Sequence, residues 1–245
     1  MRRVVVVVQA RLKSSRLPAK VLLDLGGVTA LERCLRRVRQ FRQVTDVVIA
    51  TSDTAGDEII VRVGQRLGVT VVRGSETDVL SRYVLAAEAS RADVVVRVTS
   101  DCPLLDVEVS STVIERFLAD PGADYASNVM ERRLPRGLDT EVMSREALLR
   151  AHRDATDPAE REHVTAHIYR RPETFRCLSV TLALDEDLSR HRWTLDTVED
   201  YRFLHAVFAR LGERADALSF RQVLDAIGGD AALLALNAHV VQKST

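Results

Sequence analysis

Five consecutive valines near the N-terminus constrain the fold more than any other stretch. Residues 4–8 form a short, wholly apolar run, which is typical of a strand buried on both faces of a parallel sheet. A polar segment follows, and Pro18 disfavours helix at Leu17 and helps to keep it a loop. In an open α/β sheet, ligands bind beyond the carboxyl ends of the strands. The first loop is therefore predicted to reach a ligand.

This first loop, residues 9–20, is polar and cationic. Its polar side chains are Gln9, Arg11, Lys13, Ser14, Ser15, Arg16 and Lys20. Cations, hydroxyls and backbone N–H groups together suit a triphosphate, and a solvated basic loop is the alternative. The whole chain has 32 arginines and only 3 lysines, and two of those lysines lie in this loop. That concentration favours a phosphate site.

The rest of the chain alternates strands with helices. Strands are predicted at 46–50, 69–72 and 93–98, with helices at about 29–41, 57–67 and 78–90 between them. After Pro121 the pattern changes to shorter, mixed strands, including 138–143 and 177–184. Further helices are predicted at 145–154, at 158–169 and in the region after 198. We therefore expect an α/β fold, a mostly parallel sheet flanked by helices, in a single domain over 1–245 with an inserted subregion at about 125–190.

Composition excludes several classes of protein. Acidic and basic residues balance at 35 each, which argues against a general nucleic-acid binder. No stretch approaches the length of a membrane span. Three widely spaced cysteines predict a reducing, cytoplasmic compartment. The glycine patterns of P-loop NTPases and dinucleotide-dependent dehydrogenases are absent from the sequence.

Two aspartates are candidate metal ligands, because one follows a predicted strand and the other precedes a predicted helix. Asp101 stands just past the strand at 93–98, and Asp196 precedes the helix that begins near residue 198. A carboxylate at a strand's carboxyl end can hold Mg²⁺ against phosphate oxygens. Capping of the following helix is the alternative for each, although Thr197 is the more natural cap beside Asp196.

Six separated blocks of the sequence share one resemblance. The first is QARLKSSRLPAK at 9–20, and the others are RGSETDVLSRY at 73–83, TSDCP at 99–103, RGLDTEV at 136–142, EHVT at 162–165 and RWTLDTVED at 192–200. The first block resembles the signature A-R-x-x-S-x-R-L-P-x-K of the cytidylyltransferases that activate acidic sugars, such as CMP-Kdo synthetase and acylneuraminate cytidylyltransferase. Within that family the blocks are most similar to the branch of spore coat polysaccharide biosynthesis protein F.

The resemblance implies a glycosyltransferase-A-like nucleotidyltransferase fold and a reaction. The reaction would transfer CMP from CTP to an acidic or related sugar, releasing pyrophosphate, for surface polysaccharide or glycoconjugate synthesis. Mg²⁺ would be the cofactor, and a homodimer through 130–190 the assembly. A glycosyltransferase of the same fold and a non-catalytic nucleotide-binding subunit are the alternatives.

The resemblance also assigns candidate residues. Catalytic candidates are Arg11, Arg16, Lys20, Asp101 and Asp196, the two aspartates being the metal ligands. Nucleotide-binding candidates are Gln9, Ala10, Arg11, Ser14, Lys20, Arg73, Ser75, Asp78, Thr99 and Ser100. Acceptor-binding candidates are Asn128, Asp139, Glu141, Glu162, His163 and Arg192. CMP-Kdo synthetase and its relatives carry Gln-Gly-Asp where this chain has Thr99-Ser100-Asp101, so the choice of base stays open.

One further pair could indicate a different metal. His163 and His167 are spaced four residues apart with Glu162 adjacent, but the order H-E-x-x-H of zinc proteases is absent. A structural pair on a helix face, or a sugar hydrogen-bonding role for Glu162 and His163, is the preferred interpretation.

Overall fold

A computed structural model describes residues 2–242, and its centre is one seven-stranded sheet. The strands are β1 (Val4–Gln9), β2 (Asp46–Ser52), β3 (Thr70–Gly74), β4 (Val94–Thr99), β5 (Tyr125–Ser127), β6 (Glu141–Ser144) and β7 (Cys177–Ser179). Their spatial order is β3-β2-β1-β4-β6-β5-β7. Only β6 runs antiparallel to its neighbours, β4 and β5. The predicted mostly parallel α/β sheet is confirmed.

The valine run forms the central strand. All five valines of β1 are buried, because β1 pairs with β2 on one side and β4 on the other and both sheet faces are covered by helices. Val4, Val6 and Val8 point into one hydrophobic layer, and Val5 and Val7 point into the opposite one. The side chains alternate between the two faces with the two-residue period of a strand, although every residue of the run is apolar.

Ten helices surround the sheet within residues 2–242. They are α1 (Ala30–Val38), α2 (Glu58–Arg66), α3 (Val79–Ala89), α4 (Val107–Ala119), α5 (Arg145–Asp154), α6 (Pro158–Glu162), α7 (Ala166–Tyr169), α8 (Val198–Leu211), α9 (Phe220–Ile227) and α10 (Ala231–Ala235). The apolar residues of α1, α2 and α4 pack on one face, and those of α3 and α5 pack on the other. Helices α8 and α9 form a third cluster around Trp193.

The single helix predicted at 158–169 is wrong. Helix α6 ends at Glu162 and α7 begins at Ala166, with His163 in a non-helical conformation between them. The Thr165 hydroxyl donates to Glu141 at 2.5 Å, and this buried contact holds the interruption against the sheet. The helix predicted to reach residue 41 also ends earlier, at Val38.

Two predicted strands are shorter than expected. Strand β6 begins at Glu141, because Asn128 binds the backbone of the preceding residues: it donates to the Leu138 carbonyl at 2.8 Å and accepts from the Thr140 N–H at 2.9 Å. Strand β7 stops at Ser179 because its partner β5 is only three residues long. The predicted insertion at 125–190 contributes β5, β6 and β7 to the main sheet, and its description as a distinct subregion stays a prediction.

No helix between residues 2 and 242 is long and apolar enough to cross a lipid bilayer.

Candidate active site

Strands β1 and β4 end side by side, and the site is built where they end. Gln9 pairs with Thr99 in the parallel ladder, and the Ser100 N–H donates to the Gln9 carbonyl at 3.0 Å. Beyond these ends opens a cavity of about 540 Å³, here called the loop cavity. Its polar lining includes Gln9, Arg11, Lys13, Ser14, Ser15, Arg16, Lys20, Glu76, Thr77, Thr99, Asp101, Glu162, His163 and Asp196. The first loop thus does lie at the carboxyl edge of the sheet.

Lys20 lines the loop cavity and is the centre of a cluster of charged side chains. Its Nζ lies 2.6 Å from Asp101 Oδ2 and 2.7 Å from Asp196 Oδ1. Burial alone would lower the pKa of Lys20, but the two carboxylates outweigh burial and hold the pKa above its usual range. Burial would raise the pKa of Asp101, and the Lys20 ammonium instead holds it below the ordinary value. The three side chains form a charged cluster from three distant parts of the chain.

Neither aspartate of this cluster caps a helix. Asp106 caps α4 by accepting from the Val109 N–H, and Thr197 caps α8 by accepting from the Asp200 N–H. Asp101 and Asp196 lie at the end of β4 and just before α8, as expected from the sequence. The capping alternative is therefore excluded for both, and no backbone N–H of the following helix occupies their carboxylates.

A buried network fixes the position of Asp196. The Arg192 guanidinium donates to Asp196 at 2.8 Å and to Asp200 at 2.8 Å. Asp200 is fully buried and accepts from the backbone N–H groups of Asp196 and Thr197, both at 3.0 Å. Arg16 reaches the Asp196 carboxylate from the cavity side, at 3.1 Å. Arg192, predicted to contact the acceptor, therefore holds Asp196 in place.

A second cavity of about 690 Å³ adjoins the first and is here called the β6 cavity. The two cavities share four residues of their walls: Arg97, Thr99, His163 and Gln242. The predicted acceptor residues Asp139, Glu141 and His163 line the β6 cavity. A molecule spanning both cavities would therefore pass directly over the end of β4.

The floor of the β6 cavity is a hydrogen-bonded cluster around Glu141. The carboxylate accepts from the Tyr125 hydroxyl at 2.6 Å and from the Thr165 hydroxyl at 2.5 Å, and it pairs with Arg97. Burial would raise the pKa of Glu141, but Arg97 and these hydroxyls hold it below the ordinary value. The sequence reasoning missed Arg97, although a single arginine inside the apolar strand 94–98 was a visible signal.

Some predicted nucleotide residues do not line either cavity. Arg73 binds Glu58 at 2.8 Å, and Asp78 caps α3 while binding Arg161 at 2.6 Å. The Ser75 hydroxyl accepts from the Asp78 N–H. Their neighbours Glu76 and Thr77 reach the loop cavity instead.

Three further candidates also lie outside the linings of both cavities. Ala10 and Ser100, predicted to bind the nucleotide, are buried beside Gln9 and Thr99. Asn128, predicted to bind the acceptor, is hydrogen-bonded to the backbone before β6. Direct ligand contacts of these residues stay predictions.

The histidine pair does not form a metal site. His167 is buried, with its Nδ1 2.6 Å from the Glu160 carboxylate, whereas His163 faces both cavities. The break between α6 and α7 separates them. Glu162 lies at the rim of the loop cavity, where Arg11 reaches it at 3.4 Å. Across residues 2–242, no group of three or more His, Cys, Asp and Glu side chains could hold a metal ion.

The Asp101 and Asp196 pair nevertheless has the donor chemistry for Mg²⁺. Magnesium prefers oxygen ligands and is usually bound through one or two carboxylates plus substrate phosphates. Two carboxylate oxygens converge here on one cation, the Lys20 ammonium, at the edge of a cavity lined by Arg11 and Arg16. The remaining ligands would have to come from phosphate and water.

Comparison with known proteins identifies the family. A family model described as cytidylyltransferase matches residues 5–212. The chain belongs to the cytidylyltransferase family.

Individual relatives agree with this membership. The spore coat polysaccharide biosynthesis protein SpsF of Bacillus subtilis is 34% identical over 221 residues, which cover 88% of this chain and 90% of that protein. A 3-deoxy-manno-octulosonate cytidylyltransferase of Chloroherpeton thalassium is 32% identical over 126 residues, about half of each chain. The structure of a cytidylyltransferase from Leptospira borgpetersenii covers all of both chains with a TM-score of 0.90 at 28% identity.

The resemblance inferred from the six sequence blocks is thus confirmed. The chain is a cytidylyltransferase, a CTP-dependent nucleotidyltransferase, on a mostly parallel α/β sheet. The sequence similarity to the 3-deoxy-manno-octulosonate cytidylyltransferase extends over only half the chain, whereas the sequence similarity to SpsF extends over most of it.

Proposed function

We propose that this cytidylyltransferase transfers CMP from CTP to an acidic or related sugar and releases pyrophosphate. The observation that carries the proposal is the convergence of Lys20, Asp101 and Asp196 at the ends of β1 and β4, beside a second polar cavity. CTP would occupy the loop cavity and the acceptor the β6 cavity. A sugar oxygen would attack the α-phosphorus while the β,γ-phosphates leave.

The first loop would bind the triphosphate. Arg11, Arg16 and Lys20 line the loop cavity and supply three cations against the charge of the leaving pyrophosphate. Such reactions depend mainly on positioning and on stabilising the charge of the transition state. Gln9 and Thr99 lie at the adjoining strand ends, where they would face the sugar or base of the nucleotide.

Asp101 and Asp196 would hold Mg²⁺ once the Lys20 ammonium turns to the phosphates. The bound ion would polarise the α-phosphate and lower the pKa of the attacking hydroxyl. Arg192 and Asp200 would keep Asp196 in position, because they fix it from the side away from the cavity.

The acceptor would lie above Glu141 and His163 in the β6 cavity. Asp139 lines the same wall, where it is bound by both terminal nitrogens of Arg132 at 2.7 and 2.8 Å. The match to a spore coat polysaccharide biosynthesis protein supports an acceptor destined for a surface polysaccharide. The proposal also includes a cytoplasmic location and a homodimer formed through residues 130–190. Light scattering of the purified protein tests whether it is a dimer.

A glycosyltransferase of the same fold is the second candidate. Such enzymes use an Asp-x-Asp pair after a strand, and in this chain Asp101 is followed by Cys102 and Pro103, so the second carboxylate is missing. A non-catalytic nucleotide-binding subunit would not need Lys20 and both aspartates together at the cavity.

The test is release of pyrophosphate by the purified protein. CTP, UTP, ATP and GTP are each incubated with Mg²⁺ and a panel of sugar acids, sugar phosphates and neutral sugars. We expect pyrophosphate only with CTP and an acceptor, together with a new CMP-sugar detected by mass spectrometry. Release of free nucleoside diphosphate from a CDP- or UDP-sugar, without pyrophosphate from CTP, would identify a glycosyltransferase instead.

A further inference from the structure

Three arginines line the β6 cavity, and two of them are neutralised. Arg97 pairs with Glu141, and Arg132 binds both oxygens of Asp139. Both acids also line this cavity. The third arginine, Arg136, has no side-chain hydrogen bond or ion pair with any residue between 2 and 242. Three arginine charges against two carboxylate charges leave one positive charge, and it is located on Arg136.

The backbone holds Arg136 firmly in the cavity wall. Its N–H donates to the His191 carbonyl at 3.0 Å, and its carbonyl accepts from the Trp193 N–H at 2.7 Å. These bonds form a parallel bridge to Arg192, in the segment that carries Asp196. The guanidinium therefore starts from a fixed point, and binding a ligand there requires little ordering of the chain.

We propose that Arg136 binds an anionic oxygen group of the acceptor, a carboxylate or a phosphate, and thereby selects charged over neutral acceptors. The inference rests on the proposed function, since it places the acceptor in the β6 cavity. A planar guanidinium with free N–H groups matches such a group with two parallel hydrogen bonds.

Partial burial makes this cation a strong ligand for an anion. Burial and the neighbouring Arg132 guanidinium lower the pKa of Arg136 from its usual value, so the cation is held where solvation is incomplete. An anionic partner relieves that cost, because opposite charges attract more strongly away from bulk water. One uncompensated charge balances one carboxylate, whereas a phosphate would add a second negative charge.

The test compares Arg136→Gln with a matched control, Arg133→Gln. Arg133 is in the same loop but donates to the Leu184 carbonyl and does not line the cavity. Binding to the full-length protein is measured calorimetrically, with CTP and Ca²⁺ present, for N-acetylneuraminate, Kdo, their methyl esters and glucose 1-phosphate. We expect Arg136→Gln to weaken binding of the preferred charged sugar about 10- to 100-fold, with the methyl esters unaffected.

Steady-state kinetics should separate Arg136→Gln from the control variant in the same way as the binding measurements. For Arg136→Gln, the KM for the charged acceptor rises while kcat changes little, and Arg136→Lys restores part of the loss. The control should behave as the wild type. Preference for the sugar acid or for the sugar phosphate distinguishes the two sources of the anionic group.

Three results would overturn the inference. The wild type could bind methyl esters as tightly as acids, or bind none of the charged sugars, or Arg136→Gln could weaken charged and neutral ligands equally. CTP-dependent thermal stabilisation is measured in parallel and does not depend on Arg136. If CTP does not stabilise the wild type, the proposed function is refuted. If CTP stabilises the wild type and one of the three results is also found, only the role of Arg136 is refuted.

Discussion

Lys20 stands where two carboxylates meet, and its position distinguishes it from the other cations of the first loop. Its side chain is mostly buried, with 13% of its surface exposed, whereas the Lys13 side chain is 81% exposed and, among residues 2–242, pairs only with Glu76. The two lysines of this loop therefore allow a direct comparison between a cation held in a fixed position by carboxylates and an exposed cation that adds only to the overall charge of the loop.

The first prediction concerns these two lysines. Lys20→Ala should lower turnover by about 100-fold or more, because it removes a charge positioned for the leaving phosphates. Lys13→Ala should change turnover by far less. Steady-state pyrophosphate release at saturating CTP measures both, and equal losses would show that the loop acts only through its overall charge.

The second prediction concerns Asp101 and Asp196. Each change to Asn should nearly abolish turnover and raise the Mg²⁺ concentration needed, and the double change should cost little more than either single one, because residues that act as a unit are not additive. Thermal unfolding should show that all three variants remain folded, because neither aspartate caps a helix. Additive losses would instead indicate two independent roles.

At the scale of elements, the pairing of β6 with β4 places charges inside the sheet. Arg97 and Glu141 are directly opposite each other in this antiparallel pair, and Glu141 is buried, with 6% of its surface exposed. Removing one member of a buried ion pair leaves an uncompensated charge.

The third prediction is a pH-dependent loss of stability in Glu141→Gln. At pH 7 the variant should lose about 3–5 kcal/mol of unfolding free energy. Because the pKa of Glu141 is lowered in the folded protein, its stabilisation is complete above the ordinary carboxyl pKa and is lost as the pH falls through the lowered value. The difference from wild type should therefore shrink on acidification. Urea unfolding from pH 7 to pH 3 measures it, with the exposed Glu146→Gln as a control expected to change little.

The fourth prediction concerns the close approach of two loops at Gly137. Gly137 has a φ of +107°, and a Cβ there would lie 2.7 Å from the Trp193 carbonyl carbon and oxygen. Gly137→Ala should destabilise the protein by about 2 kcal/mol or more, from backbone strain and steric overlap together. Gly27→Ala is the matched control, since Gly27 has a φ of +87° and, its two chain neighbours apart, no atom of residues 2–242 lies within 4 Å of such a Cβ. Equal losses by urea unfolding would show that the contact with Trp193 contributes nothing.

The fifth prediction belongs to the whole molecule, since ligand binding stabilises the folded state as a unit. With Mg²⁺, CTP at about 100 times its Kd should raise Tm by about 5–10 °C, and ATP, GTP and UTP should raise it less. Thermal scans at matched nucleotide concentrations measure this. A larger shift with UTP or ATP would overturn the assignment of the base, and Thr99, at the end of β4, would be the first residue to substitute.

The parallel half of the molecule could be predicted from sequence because its signals are local. The valine run and the helix caps act within a few residues of their own position, and each of the two aspartates is placed by the strand or helix next to it in sequence, although their meeting at Lys20 is a long-range contact. The acceptor side could not be predicted in the same way. The register of β6 depends on Asn128, and the break between α6 and α7 depends on Thr165 reaching Glu141. Both are contacts between distant segments, and local sequence patterns do not encode them.

The insertion of β6 between β4 and β5 has a consequence for how acceptor preference can change. The floor of the β6 cavity is part of the sheet, since Glu141 belongs to β6 and Tyr125 to β5, so it is not a surface loop that could be exchanged freely. A chimera that takes only residues 129–140 from a relative would combine the loop of that relative with the cavity floor of this chain. Exchange of acceptor specificity should therefore require that residues 125–144, Arg97 and Thr165 be replaced together.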